Sequence, residues 1–262
     1  MNKNTHQMPL HAQYFKPNMG FGITSEGMNT SINIFNYYNT SFFGTDTQNS
    51  ESIAEITFYD FNGQKLFTHR ELLKPYGSLH LDIKTKLIEN NNQPDTYGTV
   101  LCRLIPEVLP KTLINMFVST EFVMEIISGS NARSFVHNSW SPVYAPKRES
   151  IRSEQVFSDN HSKSKYLILL NNYYGPKIPF LSHGRTKVSI RNHAGETISK
   201  WSGNVKARGV YLFSFEEHFP QLEEFMDGKS GEIILDGYNI VRKPITLVVS
   251  PNNKDELSVN HF

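Results

Sequence analysis

Apolar residues along this chain fall mostly in short alternating runs, the period of a strand with one buried face. Ser31 to Tyr38 alternates, with Ile32 and Ile34 on one side. Ala54 to Asp60 and Lys65 to Leu72 flank Phe61, Asn62, Gly63 and Gln64, and an Asn-Gly turn between two such runs predicts a hairpin. Pro75 and Gly77 mark the next turn, and Ser78 to Ile83 follows with Leu79, Leu81 and Ile83 facing one way. Further strands are expected at Gly98 to Leu104, Thr120 to Ile127 and Arg133 to Asn138, and again at Gly231 to Leu235, Pro244 to Val249 and Glu256 to Asn260. Phe219, Leu222 and Met226 fall at helical spacing, so one short helix is expected over Phe219 to Met226.

The pattern occurs twice. Gly63 and Gly195 lie 132 positions apart (195 − 63), Gly77 and Gly209 are separated by the same interval, and the segment between aligns without a gap. Ile56 and Phe58 match Val188 and Ile190, and Leu79, Leu81 and Ile83 match Tyr211, Phe213 and Phe215. Asn36, Tyr37 and Tyr38 recur as Asn172, Tyr173 and Tyr174, each time closing an apolar run. Fixed-interval self-similarity speaks to architecture before activity. The expected fold is mostly β: two tandem homologous antiparallel β-sandwich domains of immunoglobulin-like type, at 31–140 and 166–262. Residues 1–30, interrupted by Pro9, Pro17, Gly20, Gly22 and Gly27, are expected to be an irregular arm. Residues 141–165, with Pro142, Pro146 and six serines, are expected to be a linker.

Composition narrows the chemistry. The chain has 26 Lys and Arg against 25 Asp and Glu, a formal net charge of +1, so it carries no global field for a polyanion and nucleic acid is not an expected partner. Its one cysteine, Cys102, has no internal partner for a disulfide and reads as a packing residue. No stretch approaches 18 apolar residues, and the first residues lack a continuous apolar run; no membrane span, no export signal and a cytoplasmic location are expected.

Catalytic patterns with a mechanical basis, such as the nucleophile elbow, the phosphate loop, the dinucleotide fingerprint and the paired cysteines, are missing, and neither a metal nor a cofactor is expected. His137 and His261 close the two copies in similar His and Asn settings, but the spacing of a cupin metal set is not there. The repeated Asn36, Tyr37, Tyr38 and Asn172, Tyr173, Tyr174 stand as the candidate ligand-binding set: tyrosine offers aromatic area at low entropy cost and asparagine offers amide hydrogen bonds. The bland reading of the same residues is a turn capped by Asn and covered by two rings. An alternative catalytic set, for a carbohydrate-acting enzyme or accessory protein with its site between the domains, is His137, His183, Arg185 and Glu217.

The run Ala54 to Ile83, a hairpin with a polar-Gly turn followed by a Pro-x-Gly corner and an alternating strand, resembles bacterial immunoglobulin-like modules. It is also similar in pattern to small β-sandwiches of the sensory rhodopsin transducer type, whose Pro-Ile-x-Val strand is echoed by Pro244, Ile245, Thr246 and Leu247. The corresponding place in the first copy reads Thr120, Glu121, Phe122, Val123 and does not follow that pattern. The resemblance implies a binding or assembly role in a soluble bacterial protein and supplies no catalytic residues. The expected function is thus a non-catalytic binding, adaptor or assembly protein with a protein or carbohydrate ligand. Self-association is expected through edge strands or the N-terminal arm, and a phage or surface-layer component is a third option.

Overall fold

A computed structural model describes residues 8–15, 17–36, 51–107, 122–129, 132–137, 144, 151–157, 164–177, 181–241, 245–249 and 257–261. It is mostly β, with four antiparallel, four-stranded sheets. The first half contributes β1 (Asn18–Thr24), β2 (Met28–Phe35), β3 (Ser52–Asp60), β4 (Lys65–Leu73), β5 (Ser78–Asp82), β6 (Thr96–Pro106), β7 (Phe122–Ser128) and β8 (Arg133–His137). The second half contributes β9 (Ile151–Phe157), β10 (Ser164–Leu170), β11 (Arg185–Arg191), β12 (Thr197–Trp201), β13 (Val210–Ser214), β14 (Gly231–Tyr238), β15 (Ile245–Val249) and β16 (Leu257–His261).

Strand order in the first half is β1-β6-β3-β4 and β5-β2-β7-β8; in the second it is β9-β14-β11-β12 and β13-β10-β15-β16. Each strand of the first half therefore has a counterpart eight strands later in the same place of its sheet. Local chemistry follows the same correspondence. After β5, Asp82 accepts from the Thr85 backbone N–H at 2.7 Å and starts helix α1 (Ile83–Glu89). After β13, Ser214 accepts from the Glu217 N–H at 3.2 Å and starts α2 (Phe215–His218), which α3 (Leu222–Met226) follows. A short polar acceptor at the N-cap satisfies an amide that the first helical turn leaves without an intrahelical partner. Among the described residues no helix is long and apolar enough to cross a membrane.

Two sequence expectations are corrected. The segment expected to be an irregular arm contains β1, which pairs with β6 from Asn18↔Cys102 to Thr24↔Thr96 and is buried along its whole length. A strand buried on both faces shows no alternation, and Gly20 and Gly22 disguise it further; Met124 and Phe122 of β7 fill the space a side chain at Gly20 would take. Likewise the segment expected to be a linker contains β9, which pairs with β14 from Ile151↔Gly237 to Phe157↔Gly231. Both strands are outermost in their sheets and hold equivalent places.

The halves do not have separate cores. One cluster lies between the β12-β11-β14-β9 and β13-β10-β15-β16 sheets and contains Leu167, Leu169, Val188, Ile190, Phe213, Ile233 and Leu235. The larger cluster fills the first half, with Ile32, Ile34, Ile56, Phe58, Val100 and Met124, and continues without interruption into Ile168, Leu170, Tyr174, Val210 and Leu247 of the second. Alternation along β10 explains the division: Leu167 and Leu169 point into the second half's own sandwich, and Ile168 and Leu170 point the other way, toward the first half. A strand apolar on both faces is one built to sit between two layers.

Candidate functional site

The candidate Asn-Tyr-Tyr positions prove to be framework wherever they are described. Asn36 is buried, donates its amide to the Leu73 and Lys74 carbonyls at 3.2 and 3.1 Å, and accepts from the Ser52 hydroxyl at 3.1 Å. Its structural counterpart is Asn171 and not Asn172: Asn171 donates to the Ser182 and Val205 carbonyls at 2.8 and 2.9 Å and accepts from the Tyr173 backbone N–H at 2.9 Å. The backbone N–H groups of Asn36 and Asn171 both donate to the glycine of the following corner, Gly77 and Gly209. Asn172 is the neighbouring, half-buried residue. Tyr173 is 0% exposed and its hydroxyl donates to the Pro176 carbonyl at 2.9 Å. Tyr174 is 8% exposed. The expected ligand surface is thus withdrawn for Asn36, Tyr173 and Tyr174, because side chains packed into the core present no face to a ligand. Tyr37 and Tyr38 lie outside the described residues.

Tyr174 marks the place where the halves meet. Its ring stands edge-on to Tyr59 at 5.7 Å, and the Arg208 guanidinium lies 5.5 Å from the Tyr174 ring and 5.8 Å from the Tyr59 ring. Beside them the β3–β4 turn seats on the segment before β13. The Val210 N–H donates to the Phe61 carbonyl at 3.1 Å, and Lys206 Nζ donates to Asn62 Oδ1 at 2.9 Å. Phe61 stacks on Tyr97 at 5.3 Å. Burial raises the phenol pKa of Tyr174 well above its ordinary value, with Tyr59 adding to the rise and Arg208 opposing it. Sequence reading missed this group, since Tyr59, Tyr174 and Arg208 meet only after both halves have folded.

The turn's shape is fixed locally. Asp60 Oδ1 accepts from the Asn62 and Gln64 N–H groups at 2.9 and 2.8 Å, and Gly63 takes φ +72°. In the second half Asn192 Oδ1 accepts from Ala194 and Glu196, both at 3.0 Å, and Gly195 takes φ +84°. An Asp or Asn side chain mimicking a backbone turn, followed by a glycine at positive φ, is the chemistry such a turn demands.

The alternative catalytic residues are placed apart in the fold's elements. His137 ends β8, and its side chain is not described. His183 precedes β11, its carbonyl accepting from Asn239 at 2.9 Å. Arg185 opens β11, where its guanidinium lies 4.8 Å over the Trp201 ring. Glu217 is exposed on α2. Among the described residues no hydrogen bond or ion pair joins His183, Arg185 and Glu217. Cys102 is fully buried, and burial raises its thiol pKa well above the ordinary value, which keeps it protonated and unreactive.

Among the described residues the most open aromatic–cation pair is Arg185 with Trp201, which is 51% exposed on β12, an edge strand. Ladder register sets Arg185, Lys187, Arg191, Trp201 and Tyr238 on one face of that sheet, opposite to Val188 and Ile190. No family model matches this chain, and no curated protein matches it.

Proposed function

We propose that the chain is a non-catalytic binding and assembly protein made of two related sandwich units in tandem, immunoglobulin-like in kind and derived from one duplicated unit. The observation that carries this reading is the recurrence of framework chemistry at equivalent positions: strand order, the Asx turn with its glycine, the buried Asn36 and Asn171 clamps, and the capped helix after the fifth strand of each half. Surface chemistry, by contrast, differs between the units. Arg185 on β11 and Trp201 on the edge strand β12 form an exposed pair in the second, whereas Glu55, at the place of Lys187, is buried between Arg70 at 2.7 Å and Arg103 at 2.6 Å in the first.

Exposed tryptophan and arginine are the residues on which binding energy concentrates, and a planar indole beside a cation suits either an extended protein segment on the edge strand or a sugar ring. A glycan and peptide array probed with the full chain tests the reading. Selective retention is expected, and Trp201→Ala and Arg185→Ala should each abolish it while leaving the circular dichroism spectrum unchanged. Retention indifferent to both substitutions, or turnover of an arrayed sugar, would refute it.

A further inference from the structure

The outer edge of β12 is an open row of backbone groups, whereas the equivalent edge of the first half is closed. The Ser202 N–H donates to Thr186 O at 2.8 Å and the Asn192 N–H to Glu196 O at 2.9 Å, so the even-numbered residues of β12 turn their backbone groups toward β11. Antiparallel ladders alternate, and the N–H and C=O groups of Thr197, Ser199 and Trp201 therefore point away from β11. Among the described residues no strand pairs with that side of β12. Thr197, Lys200 and Trp201 are exposed, Ile198 and Ser199 are half-buried, and the ladder to β11 runs without a bulge. β4 holds the equivalent place in the first half. Its ladder slips between Phe58 and Tyr59, leaving Leu66 unmatched, and Asn92 Nδ2 donates to the Leu66 carbonyl at 3.1 Å. A bulge and a covering side chain protect a sheet edge from further pairing, and among the described residues β12 has neither.

We propose that β12 pairs with β12 of a second copy of this chain, antiparallel and about a two-fold axis at Ser199, so that two four-stranded sheets join into one continuous sheet. This deepens the binding and assembly reading by naming the partner, and it rests on the assembly half of that reading. Three observations name a second copy as the occupant. First, the outward groups are symmetric about Ser199. In this register Thr197 meets the partner's Trp201, Ser199 meets the partner's Ser199, and Trp201 meets the partner's Thr197, so every outward N–H and C=O of both strands is paired. Second, charge along the edge complements itself. Glu196 stands at one end and Lys200 toward the other, both exposed and on the same face as Ile198. An antiparallel copy sets Lys200 diagonal to the partner's Glu196, and the two-fold repeats that pair. Glu196 Oε2 accepts from Asn192 at 2.9 Å, which leaves Oε1 for the lysine. Third, Ile198, half-buried at the open side of the second core, lies opposite the partner's Lys200, whose methylene stem covers it.

Pairing of this kind uses the same patch on both copies, so it closes at a dimer and leaves no further end to propagate. The side chains of Trp201 and Arg185 stay on the outer face of the joined sheet, opposite to Val188 and Ile190, and the dimer presents two such pairs on one surface.

The test is sedimentation velocity with light scattering on the full chain over a wide concentration range. Wild type should pass from monomer to dimer and no further. Glu196→Lys and Lys200→Glu each set like charges at both diagonals and should each weaken the dimer about tenfold. Their equimolar mixture should recover it as a one-to-one heterodimer, because every diagonal then joins opposite charges. Both positions are exposed, and an unchanged circular dichroism spectrum verifies the fold. Register is read by oxidation. Ser199→Cys should link two copies through a disulfide, since facing Cα atoms of a hydrogen-bonded antiparallel pair lie about 5.5 Å apart. Thr197→Cys, which faces the partner's Trp201, should not, and the native Cys102 is buried and does not compete. Monomeric wild type, growth past a dimer, an undiminished dimer in either charge variant, a mixture that does not recover, or equal linking through Thr197→Cys would each overturn the proposal. The charge variants leave Trp201 and Arg185 in place. Array retention by a monomeric chain would therefore sink the pairing alone, and a dimer without retention would sink the ligand-binding reading alone.

Discussion

The turns at 60–64 and 192–196 have the same backbone and opposite surroundings. Both begin with a side chain that accepts two backbone N–H groups, and both end on a glycine at positive φ. Gly63 is nevertheless buried against Ala207, and Gly195 is exposed. Local hydrogen bonds therefore decide the shape of such a turn, and the neighbouring layer decides what that turn contributes to stability.

The sharpest way to break the comparison is to add one methyl group at each glycine. Gly195→Ala should cost about 1 kcal/mol, the penalty for a side chain at positive φ. Gly63→Ala carries the same backbone penalty plus a collision with the Ala207 carbonyl, so it should cost at least about 3 kcal/mol. Urea denaturation of the two variants measures the difference, and equal losses would mean that the turn is not seated as described.

The buried asparagines come next. Asn36→Ala and Asn171→Ala each strip two backbone carbonyls of a donor and should each cost about 2 kcal/mol. Similar losses at both positions would sharpen the equivalence. A loss at Asn171 comparable to that of Asn172→Ala would break it.

A smaller effect of opposite sign is expected at the junction. The Tyr174 hydroxyl is buried and has no hydrogen-bond partner among the described residues. Tyr174→Phe should leave stability unchanged or raise it by about 1 kcal/mol. It should also flatten the alkaline limb of the stability profile. Burial holds the folded phenol above its ordinary value of 10.0, so the folded state retains a proton that the unfolded chain releases. The resulting contribution is intact below pH 10 and is lost as pH rises through the folded value. Melting temperatures of wild type and variant from pH 7 to 11 check this. The smallest change expected is from Asp60→Asn. The amide oxygen can accept the same two N–H groups, so the exchange should shift stability by less than about 0.5 kcal/mol.

What reading the chain in order determined was everything with a local cause. The glycine interval of 132 between the two turns, the alternation in β3, β5 and β7, and the hairpin at Gly63 are written in neighbouring residues, and they suffice for a mostly β chain whose pattern recurs. Helix α1 was missed: the strand expected to run through Ile83 stops at Asp82, whose side chain caps the helix that Ile83 and Leu87 then anchor, and the alternating run that ends there masked this local signal. Only the tertiary structure decided the rest. β1 shows no strand period because it is covered on both faces, and β9 resembled a linker because partnership with β14 defines it. Tyr173 and Tyr174 carry the side chains of a ligand surface, but both are buried, Tyr173 against its own loop and Tyr174 at the junction. Tyr59, Tyr174 and Arg208 lie far apart along the chain, and no local period links them. Alternation records that a residue faces away from water; it does not record which layer covers it, and at Ile168, Leu170 and Tyr174 the covering layer belongs to the other half of the chain.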